Sequence, residues 1–331
     1  MNAPNDRPLK VCVIGLGRIA SLLEDDAKRE KPCTHAGAIA ANEDCVLCAG
    51  ADIDGGRRDL FAGRWNVPVY ADAEAMLAAE RPDIVHIATH PDSHYRYCAL
   101  AARYGVTTAV CEKPLADTLG KAKKIAALAE SGAITVIVNH ERRYSADYVE
   151  ARKLLSDGCL GAILSVRGTL YMGLRRRLLD VLWHDGTHLA DAAMFLCGGV
   201  LRHRKRWGVP LESRGGSAWL LGTVSGGIPF VLELGAGRDH LVFELSFSCE
   251  KGRLRVGNRV FEVWKSAESP YAEGFRSLEK IRGGFGETTG YFSGMLADAV
   301  ACTRDRGRRP RSGASDALAV IRYLNGVKAW R

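Results

Sequence analysis

The sequence contains no apolar run long enough to cross a membrane. A bilayer-spanning helix needs roughly 20 consecutive apolar residues, and every apolar segment of this 331-residue chain is interrupted before that length. The first ten residues, MNAPNDRPLK, also lack the apolar core of a secretory signal peptide. These absences predict a cytoplasmic protein without a membrane partner.

Short cysteine motifs are almost absent, although the chain has ten cysteines. Cys45 and Cys48 are the only two that lie close together in sequence, and a zinc site would need a second ligand pair at comparable spacing. If this segment is a strand, a spacing of three directs the two thiols to opposite faces. The cysteines therefore indicate buried free thiols in a reducing compartment rather than disulfides or structural zinc.

Sequence motifs of nucleic-acid-binding proteins are also missing, although the formal net charge is +8. Basic residues cluster at 174–178, 202–207 and 304–311, but 38 acidic residues are interspersed along the chain. We interpret the clusters as solvated loops. The alternative is that they face an anionic small substrate or an acidic partner, and no nucleic-acid partner is expected.

The length and the hydrophobic content of 47% predict a globular protein of about two domains. Through the first 140 residues, near-continuous apolar segments alternate with amphipathic helical patterns. The apolar segments are 9–15, 45–52, 83–89, 106–112 and 134–139. Such segments are typical of parallel strands covered on both faces. Their alternation with helices predicts an α/β fold with a doubly wound parallel sheet, the Rossmann arrangement.

After Asn139 the pattern changes, and apolar residues alternate with polar ones in SAWLLGTV, IPFVLEL and LVFELSFS. This alternation is typical of half-exposed antiparallel strands. Two helices, at about 288–303 and 313–330, are expected to close the chain. The sequence thus predicts a first domain over residues 1–122 and a second, α+β domain over 123–331, with a last helix able to pack on the first domain.

The segment VIGLGRIA places Gly15, Gly17 and Ala20 directly after the first strand. Glycines at this spacing allow a tight turn, and they let a pyrophosphate approach the free N–H groups of a helix N-terminus. Because a strand precedes the motif and a helical pattern follows it, we favour a dinucleotide site over a purely structural turn. Arg18 and Ile19 belong to this candidate site.

Asp52, at the end of the second strand, is the expected acceptor for the hydroxyls of the adenine ribose. It lies 37 positions after Gly15, whereas roughly 20 to 30 positions are usual. We interpret the charged residues 22–35 as an insertion that interrupts the first helix. A carboxylate at position 52 repels a 2′-phosphate, so NAD is favoured as the cofactor, while Arg57 and Arg58 keep NADP open.

Glu112, Lys113 and Pro114 follow the fifth strand, at the sheet edge where doubly wound folds bind ligands. Proline fixes the turn, and a cis Lys–Pro bond would redirect the lysine side chain. We favour a functional role for this motif. The alternative is a surface turn with an ion pair.

The segment WHDGTHLAD holds His184 and His188 four positions apart, on one face if it is helical. With Asp185 beside them, the two histidines also match part of a zinc site. Gly186 weakens a helix by about 1 kcal/mol relative to alanine, which favours a helix start here over a helix interior. Because no third ligand is evident, no metal is expected, and acid–base catalysis is favoured over zinc and over structural histidines.

The motifs GLGRIA, ADID, ATHPDSH, EKP and RGTL together resemble the glucose–fructose oxidoreductase / inositol dehydrogenase / MocA family. The resemblance covers nearly the whole chain and is looser after residue 200. It implies a Rossmann domain followed by an α/β domain whose large, open, mostly antiparallel sheet commonly forms the interface of a homodimer or homotetramer. It also implies hydride transfer between a nicotinamide cofactor and a hydroxyl or keto carbon of a sugar, polyol, sugar acid or related compound.

The resemblance also assigns roles to individual residues. It places Lys113 beside the nicotinamide and the substrate, and Glu112 near the nicotinamide ribose. It places five further residues along the cofactor, namely Ala88, Thr89, His90, Pro91 and His94.

In many relatives an aspartate and a histidine four positions apart line the substrate. Here His188 matches the histidine, whereas His184 occupies the position of the aspartate and Asp185 is displaced by one. We expect His188 to be the general base and Lys113 to bind the developing alkoxide. His184 or Asp185 is expected to orient the substrate or to tune His188.

The candidate substrate-binding residues are Arg143 and Arg176. The arginines at 175–177 directly precede the histidine segment, and this position suggests a carboxylate or phosphate on the substrate. Two other functions use the same motifs: an enzyme that oxidises a sugar only transiently with bound NAD, and a non-catalytic dinucleotide-binding regulator. A regulator is expected to lose the lysine or the histidine, and this chain has both.

Overall fold

The computed structural model of the protein describes residues 7–173, 176–284 and 289–329. Residues 174 and 175 of the basic cluster, and the predicted helix ends at 288 and 330, lie outside the described residues. The chain divides into two compact units. The first contains Met1–Tyr144 and Gly290–Ile321, and the second contains Ser145–Thr289 and Arg322–Arg331. This division falls beyond the predicted domain boundary at residue 122, which stays a prediction.

A six-stranded parallel sheet forms the centre of the first unit, in the order β3-β2-β1-β4-β5-β6. Its strands are β1 (Leu9–Ile14), β2 (Cys45–Ala51), β3 (Val69–Tyr70), β4 (Ile84–Ile87), β5 (Thr108–Cys111) and β6 (Thr135–Val138). The strand order reverses between β1 and β4, the point at which doubly wound sheets bind ligands. The predicted N-terminal Rossmann fold is confirmed. The sequence did not predict β3, because two residues form no recognisable apolar run.

Helices cover this sheet within the first unit. They are α1 (His35–Ala40), α2 (Gly55–Trp65), α3 (Ala73–Glu80), α4 (His94–Arg103), α5 (Leu119–Glu130) and, from the C-terminal part of the chain, α9 (Tyr291–Arg304). Short polar side chains begin several of them: Thr34, Asp54, Asp72 and Thr118 each accept a hydrogen bond from a backbone amide of the first helical turn. Phe292, Met295 and Leu296 of α9 are buried in the same apolar cluster as Val11 and Val13 of β1. The late helix α9 therefore completes the core of the N-terminal sheet.

The second unit contains an eight-stranded sheet in the order β14-β13-β12-β11-β7-β10-β9-β8. Its strands are β7 (Ile163–Met172), β8 (Arg202–Gly208), β9 (Gly216–Thr223), β10 (Pro229–Ala236), β11 (Val242–Cys249), β12 (Gly252–Gly257), β13 (Val260–Glu268) and β14 (Arg276–Gly283). Only the β7–β10 pair is parallel among these neighbours. The predicted mostly antiparallel sheet is confirmed.

Three helices of the second unit, α6 (Ala146–Ser156), α7 (Leu178–His184) and α8 (Gly186–Cys197), pack on this sheet. Close packing of α8 on β7 uses a glycine, since a Cβ at Gly168 would lie 3.1 Å from Leu189 Cδ2. Many of the side chains that alternate with the buried ones are polar, and Arg255 there joins Glu244 and Glu262 in ion pairs. The last helix, α10 (Ala314–Ala329), contributes residues to both units. No helix within the described ranges has the length and apolar character that crossing a membrane requires.

The basic cluster at 202–207 is not a loop, contrary to the sequence-based interpretation. It forms most of β8, which pairs with β9 and lies at the edge of the eight-stranded sheet. Charged side chains on an edge strand discourage pairing with other chains. The charge density hid the strand because the cluster carries few of the apolar residues by which strands are recognised.

The first helix of the Rossmann sheet is interrupted by an insertion, as the sequence suggested. Ser21 N donates to Gly17 O (3.2 Å), as in a helical turn, but His35 N and Ala36 N then donate to Ile19 O (3.1 Å) and Ala20 O (2.9 Å). In an uninterrupted helix, residues 23 and 24 would donate these two bonds. The insertion is therefore 12 residues long, and 37 minus 12 leaves 25 positions between Gly15 and Asp52. The long spacing of the motif is thus explained.

We predict that deleting residues 23–34, so that Leu22 is followed directly by His35, leaves the protein folded. The hydrogen-bond ladder across the junction would then be that of a continuous helix. We expect the free energy of unfolding, measured with urea, to change by no more than about 2 kcal/mol, because the lost contacts are offset by a shorter loop.

A deletion that is one residue shorter, 24–34, provides the matched control. It rotates the following helix by about 100° and turns the buried Ile39 away from the core. It should therefore be much less stable than the first deletion. Equal stability of the two deletion variants would show that the helix is not spliced in this register.

Candidate functional site

The glycine loop after β1 is shaped by its contact with the end of β4. Gly15 has a φ of +86°, and a Cβ there would lie 2.8 Å from both Ala88 O and Thr89 Cγ2. At Gly17 the nearest atom to a Cβ would be Arg57 Nη1, at 3.9 Å. The first glycine is therefore required by the fold, whereas the second leaves open space above the loop for a ligand.

Asp52 links the end of β2 to this loop. Its Oδ2 accepts a hydrogen bond from Leu16 N (2.8 Å) and its Oδ1 accepts one from Asp54 N (2.9 Å). A carboxylate has about four acceptor sites, so Asp52 retains capacity for ligand hydroxyls. The half-exposed Arg57 approaches the same carboxylate, with Nη1 at 3.7 Å from Oδ2. The structure thus places one negative and one positive side chain beside the glycine loop.

The segment after β4 is held by its own side chains. Ser93 Oγ lies 2.7 Å from Thr89 Oγ1 and 2.8 Å from His90 O. The ring of His94 is buried, with Nδ1 at 3.2 Å from Leu115 O and Nε2 at 3.1 Å from Thr89 O. Burial lowers the pKa of His94, although the two carbonyls act in the opposite direction. His94 therefore braces the loop after β4 against the loop after β5.

Glu112 and Lys113 follow β5, and the Lys113–Pro114 peptide bond is cis. Glu112 is almost completely buried. Its Oε1 accepts a hydrogen bond from Asn139 Nδ2 (2.6 Å) and lies 3.1 Å from His35 Nε2, and its Oε2 accepts one from Lys113 N (3.2 Å). Burial by itself would raise the pKa of Glu112, but His35, Lys113 and Asn139 together lower it to about 2. These contacts therefore favour the carboxylate form of Glu112 despite its burial.

The carboxyl ends of β1, β2, β4 and β5 thus bring together most of the predicted cofactor residues of the first unit. These are Gly15, Gly17, Asp52, Ala88, Thr89, Glu112 and Lys113. Three further residues, not predicted from the sequence, surround Glu112 or follow in its hydrogen-bond chain, namely His35, His86 and Asn139. Two signals were available: His86 is a polar residue within an otherwise apolar strand, and Asn139 comes directly after β6. His35 was hidden because the insertion separates it from the glycine motif.

In the second unit, the histidine segment forms a junction between two helices. Helix α7 ends at His184 and α8 begins at Gly186, so His184 and His188 do not share one continuous helix. Asp185 lies at the junction, where its Oδ1 is 3.0 Å from His184 Nδ1 and its Oδ2 accepts from Arg176 Nη1 (3.1 Å). Within the described part of the chain, no three histidine, cysteine, aspartate or glutamate side chains converge as metal ligands.

The two arginines predicted to bind substrate have different surroundings. Arg176 is partly exposed and is ion-paired with Asp185. Arg143 is buried in the first unit, where its Nη1 donates to Arg311 O (2.8 Å) and lies 3.4 Å from Asp316 Oδ2. These bonds tie Arg143 to the segment that leads into α10, and its predicted role in substrate binding stays a prediction.

Comparison with known proteins agrees with this geometry. Residues 9–140 match the family model described as an oxidoreductase family with an NAD-binding Rossmann fold. Residues 9–140 of the first unit thus form a Rossmann domain similar to the NAD-binding domain of that family. This match to the glucose–fructose oxidoreductase / inositol dehydrogenase / MocA family model covers the part of the chain in which most of the motifs that resemble this family lie.

Individual relatives define the extent of this similarity. The chain is 34% identical to D-apiose dehydrogenase of Paraburkholderia graminis over 145 residues, which cover 40% of this chain and 38% of that protein. It is 26% identical to D-glucoside 3-dehydrogenase of Escherichia coli over 216 residues, which cover 60% of this chain and 56% of that protein. The matched regions thus span less than two thirds of these curated relatives.

A solved structure extends the likeness in fold to the whole chain. An oxidoreductase from Agrobacterium radiobacter, in complex with NAD+, L-tartaric acid and magnesium, is 19% identical. It has a TM-score of 0.72, and the match covers 96% of this chain and 94% of that one. The two proteins therefore share both parts of the architecture.

We predict that Gly15→Ala destabilises the protein by at least about 2 kcal/mol, because a left-handed residue other than glycine costs about 1–2 kcal/mol and the new methyl group also meets the Ala88 carbonyl. Gly63→Ala, in helix α2, provides the matched control, since a Cβ there meets nothing within 4 Å. It should stabilise the protein by about 0.5–1 kcal/mol. Urea denaturation measures both changes, and a neutral Gly15→Ala would contradict the close approach of the two loops.

Proposed function

We propose that this protein is a nicotinamide-dependent oxidoreductase acting on a hydroxyl or keto carbon of a sugar, polyol, sugar acid or related compound. The observation that carries the proposal is the buried Glu112 beside Lys113, on the same sheet edge as Gly15 and Asp52. Two relatives in the same family are named D-apiose dehydrogenase and D-glucoside 3-dehydrogenase.

The residues of the first unit fit a dinucleotide. Gly17 leaves room for a pyrophosphate, and Asp52 retains acceptor capacity for the adenine-ribose hydroxyls. Glu112 is assigned to the hydroxyls of the nicotinamide ribose. A nicotinamide bound at this site would supply hydride transfer to or from the substrate carbon. His94, which is buried, supports this site by bracing two of its loops.

Proton movement is assigned to residues that the family motifs identify. During oxidation of an alcohol, His188 would accept the proton of the substrate O–H group. The Lys113 ammonium group stabilises the developing alkoxide. His184 and Asp185 are assigned to substrate orientation. The contacts of Asp185 with His184 and with Arg176 fix the direction of its carboxylate.

A homodimer or homotetramer, assembled through the eight-stranded sheet, is part of the proposal. Its support is the sheet face opposite the helices, which carries polar and aromatic residues, including Trp264 and the Arg255 ion pairs.

A cytoplasmic location is also part of the proposal. It is supported by the free thiols, since none of the ten cysteines forms a disulfide.

The test of the function is a screen of sugars, polyols and sugar acids for NADH formation. With an active substrate, we expect Lys113→Ala and His188→Ala each to lower turnover at least about a hundredfold, the usual effect of losing an acid–base group. NADH binding should be retained. Exposed residues of the same types, changed in Lys123→Ala and His240→Ala, serve as controls and should leave turnover unchanged.

Three outcomes would contradict the assignment in different ways. Near-normal turnover of either active-site variant would remove that residue from the mechanism. Substrate conversion with retained NAD and no net NADH would identify transient oxidation instead. Dinucleotide binding without any turnover across the screen would favour a regulator.

We also propose NAD over NADP as the cofactor, because the Asp52 carboxylate would repel a 2′-phosphate. Asp52→Asn keeps the shape and removes the charge, and it should reduce the preference for NADH over NADPH about tenfold, equivalent to about 1.4 kcal/mol. Arg57→Gln is the companion variant and should weaken NADPH binding selectively. Dissociation constants from nucleotide fluorescence measure both effects. An unchanged ratio in Asp52→Asn would contradict this role for the carboxylate.

A further inference from the structure

A buried chain of polar side chains lies behind Lys113 in the first unit. His86 Nδ1 is 2.8 Å from His35 Nδ1, and His35 Nε2 is 3.1 Å from Glu112 Oε1. Both histidines are completely buried. His86 lies within β4, the first residue of α1 is His35, and Glu112 follows β5. The chain therefore runs across the sheet edge that carries the candidate site.

The positions of the protons in this chain follow from its geometry. Glu112 is a carboxylate and only accepts hydrogen bonds, so His35 Nε2 must carry a hydrogen. The contact between the two Nδ1 atoms requires one further hydrogen. When both rings are neutral, that hydrogen belongs to His86, which leaves His86 Nε2 bare. Consistent with this tautomer, His86 Nε2 has no hydrogen-bond partner among the residues that the structure describes.

Protonation of His86 is disfavoured. Burial, together with the electrostatic effect of His35, holds the pKa of His86 well below its ordinary value. A positive charge on His35 would instead lie next to the Glu112 carboxylate. In both protonation states, His35 therefore donates to Glu112.

Other groups also surround the hydrogen-bond chain from His86 to Glu112 and influence its charge. The ring of Phe292 packs edge-on against His35, with centroids 5.3 Å apart, and helps to exclude water. Lys113 lowers the pKa of Glu112, and Glu112 in turn raises that of Glu141, which burial has already raised. Arg142 acts on Glu141 in the opposite direction. A carboxylate in such a buried setting needs a permanent donor to stay ionised.

We propose that His35 and His86 are positioning residues for the active site. His35 keeps Glu112 ionised and fixed in one orientation, toward Lys113 N and the cofactor ribose. His86 Nδ1 donates to His35 Nδ1, and this bond fixes the tautomer in which His35 Nε2 donates to Glu112. This inference rests on the proposed function, because Glu112 acts on the nicotinamide ribose only in that function.

The test compares variants of His35 by their binding of NADH between pH 6 and pH 8.5. His35→Leu removes the donor, and burial should then raise the pKa of Glu112 toward neutrality. A carboxyl group with a raised pKa is protonated at the lower pH, so NADH affinity should fall about tenfold at pH 6, the effect of losing roughly 1.4 kcal/mol. The affinity should recover as the pH rises.

His35→Gln is the conservative variant, because its amide can take the place of Nε2 and donate to Glu112. It should keep NADH affinity within about threefold of the wild type, without the new pH dependence. His35→Asn places its amide nearer the position of Nδ1, so it is polar but does not reach Glu112. It should behave like His35→Leu and replaces that variant if the latter does not fold. His240→Gln, at an exposed position of the second unit, should behave as the wild type.

A second measurement needs no cofactor. Nitrogen-15 spectra of selectively labelled histidines at alkaline pH should show His35 with its hydrogen on Nε2 and His86 with its hydrogen on Nδ1. The His35→Gln and His86→Leu variants assign the two signals. A neutral His86 with its hydrogen on Nε2 would overturn the tautomer assignment.

The remaining outcomes separate this inference from the proposed function. If NADH binds to the wild type, and His35→Leu and His35→Asn both show the wild-type pH dependence, the positioning role is wrong and the function stands. If the wild type binds neither NADH nor NADPH, the proposed function is wrong. The histidine spectra would then still report whether the chain from His86 to Glu112 exists.

Discussion

A carboxylate that is buried at the edge of a parallel sheet must be hydrogen-bonded on every side, and this requirement organises the first unit around Glu112. Its oxygens receive donors from the first residue of α1, from the residue after β6 and from the peptide of Lys113. These bonds fix the end of β5 relative to the start of α1 and the end of β6. The contact of His86 with His35 adds β4 as the fourth stretch. The polar network replaces the solvation that the carboxylate loses, so the negative charge is kept where the nicotinamide ribose is proposed to bind.

The insertion in the first helix is compatible with this network because it preserves the helical register. The chain leaves the helix after one turn and returns at His35, which bonds to Ile19 O as a residue of an unbroken helix would. Within the insertion, Glu24 accepts from Thr34 Oγ1 (2.6 Å), and Thr34 itself caps α1 by accepting from Gly37 N (3.0 Å). The inserted segment is therefore held in place directly before His35, which donates to Glu112. The insertion leaves His35 in the register of the helix.

Local patterns allowed the larger part of the fold to be predicted. Near-continuous apolar strands predicted the Rossmann sheet, and strict alternation predicted the antiparallel one, since each pattern reflects which faces of a strand are buried. Position along the strands also placed Gly15, Asp52 and Lys113 at one edge. What local patterns cannot reveal is pairing between distant polar residues. The His86–His35–Glu112 chain joins residues 51 and 77 positions apart, and the edge strand β8 carries charge where a strand pattern needs apolar residues.

The segment of His184 and Asp185 shows how a displaced carboxylate can keep a defined direction. A shift of one residue within a helix would turn a side chain by about 100°, away from the position that relatives use. Asp185 instead lies between α7 and α8, with a φ of −105° and a ψ of −30°, so its direction is not set by a continuous helix. His184 and Arg176 hold its two oxygens from opposite ends of the carboxylate. The histidine that replaces the expected aspartate thus becomes a partner of the neighbouring aspartate, whose carboxyl group lies one position later in the chain.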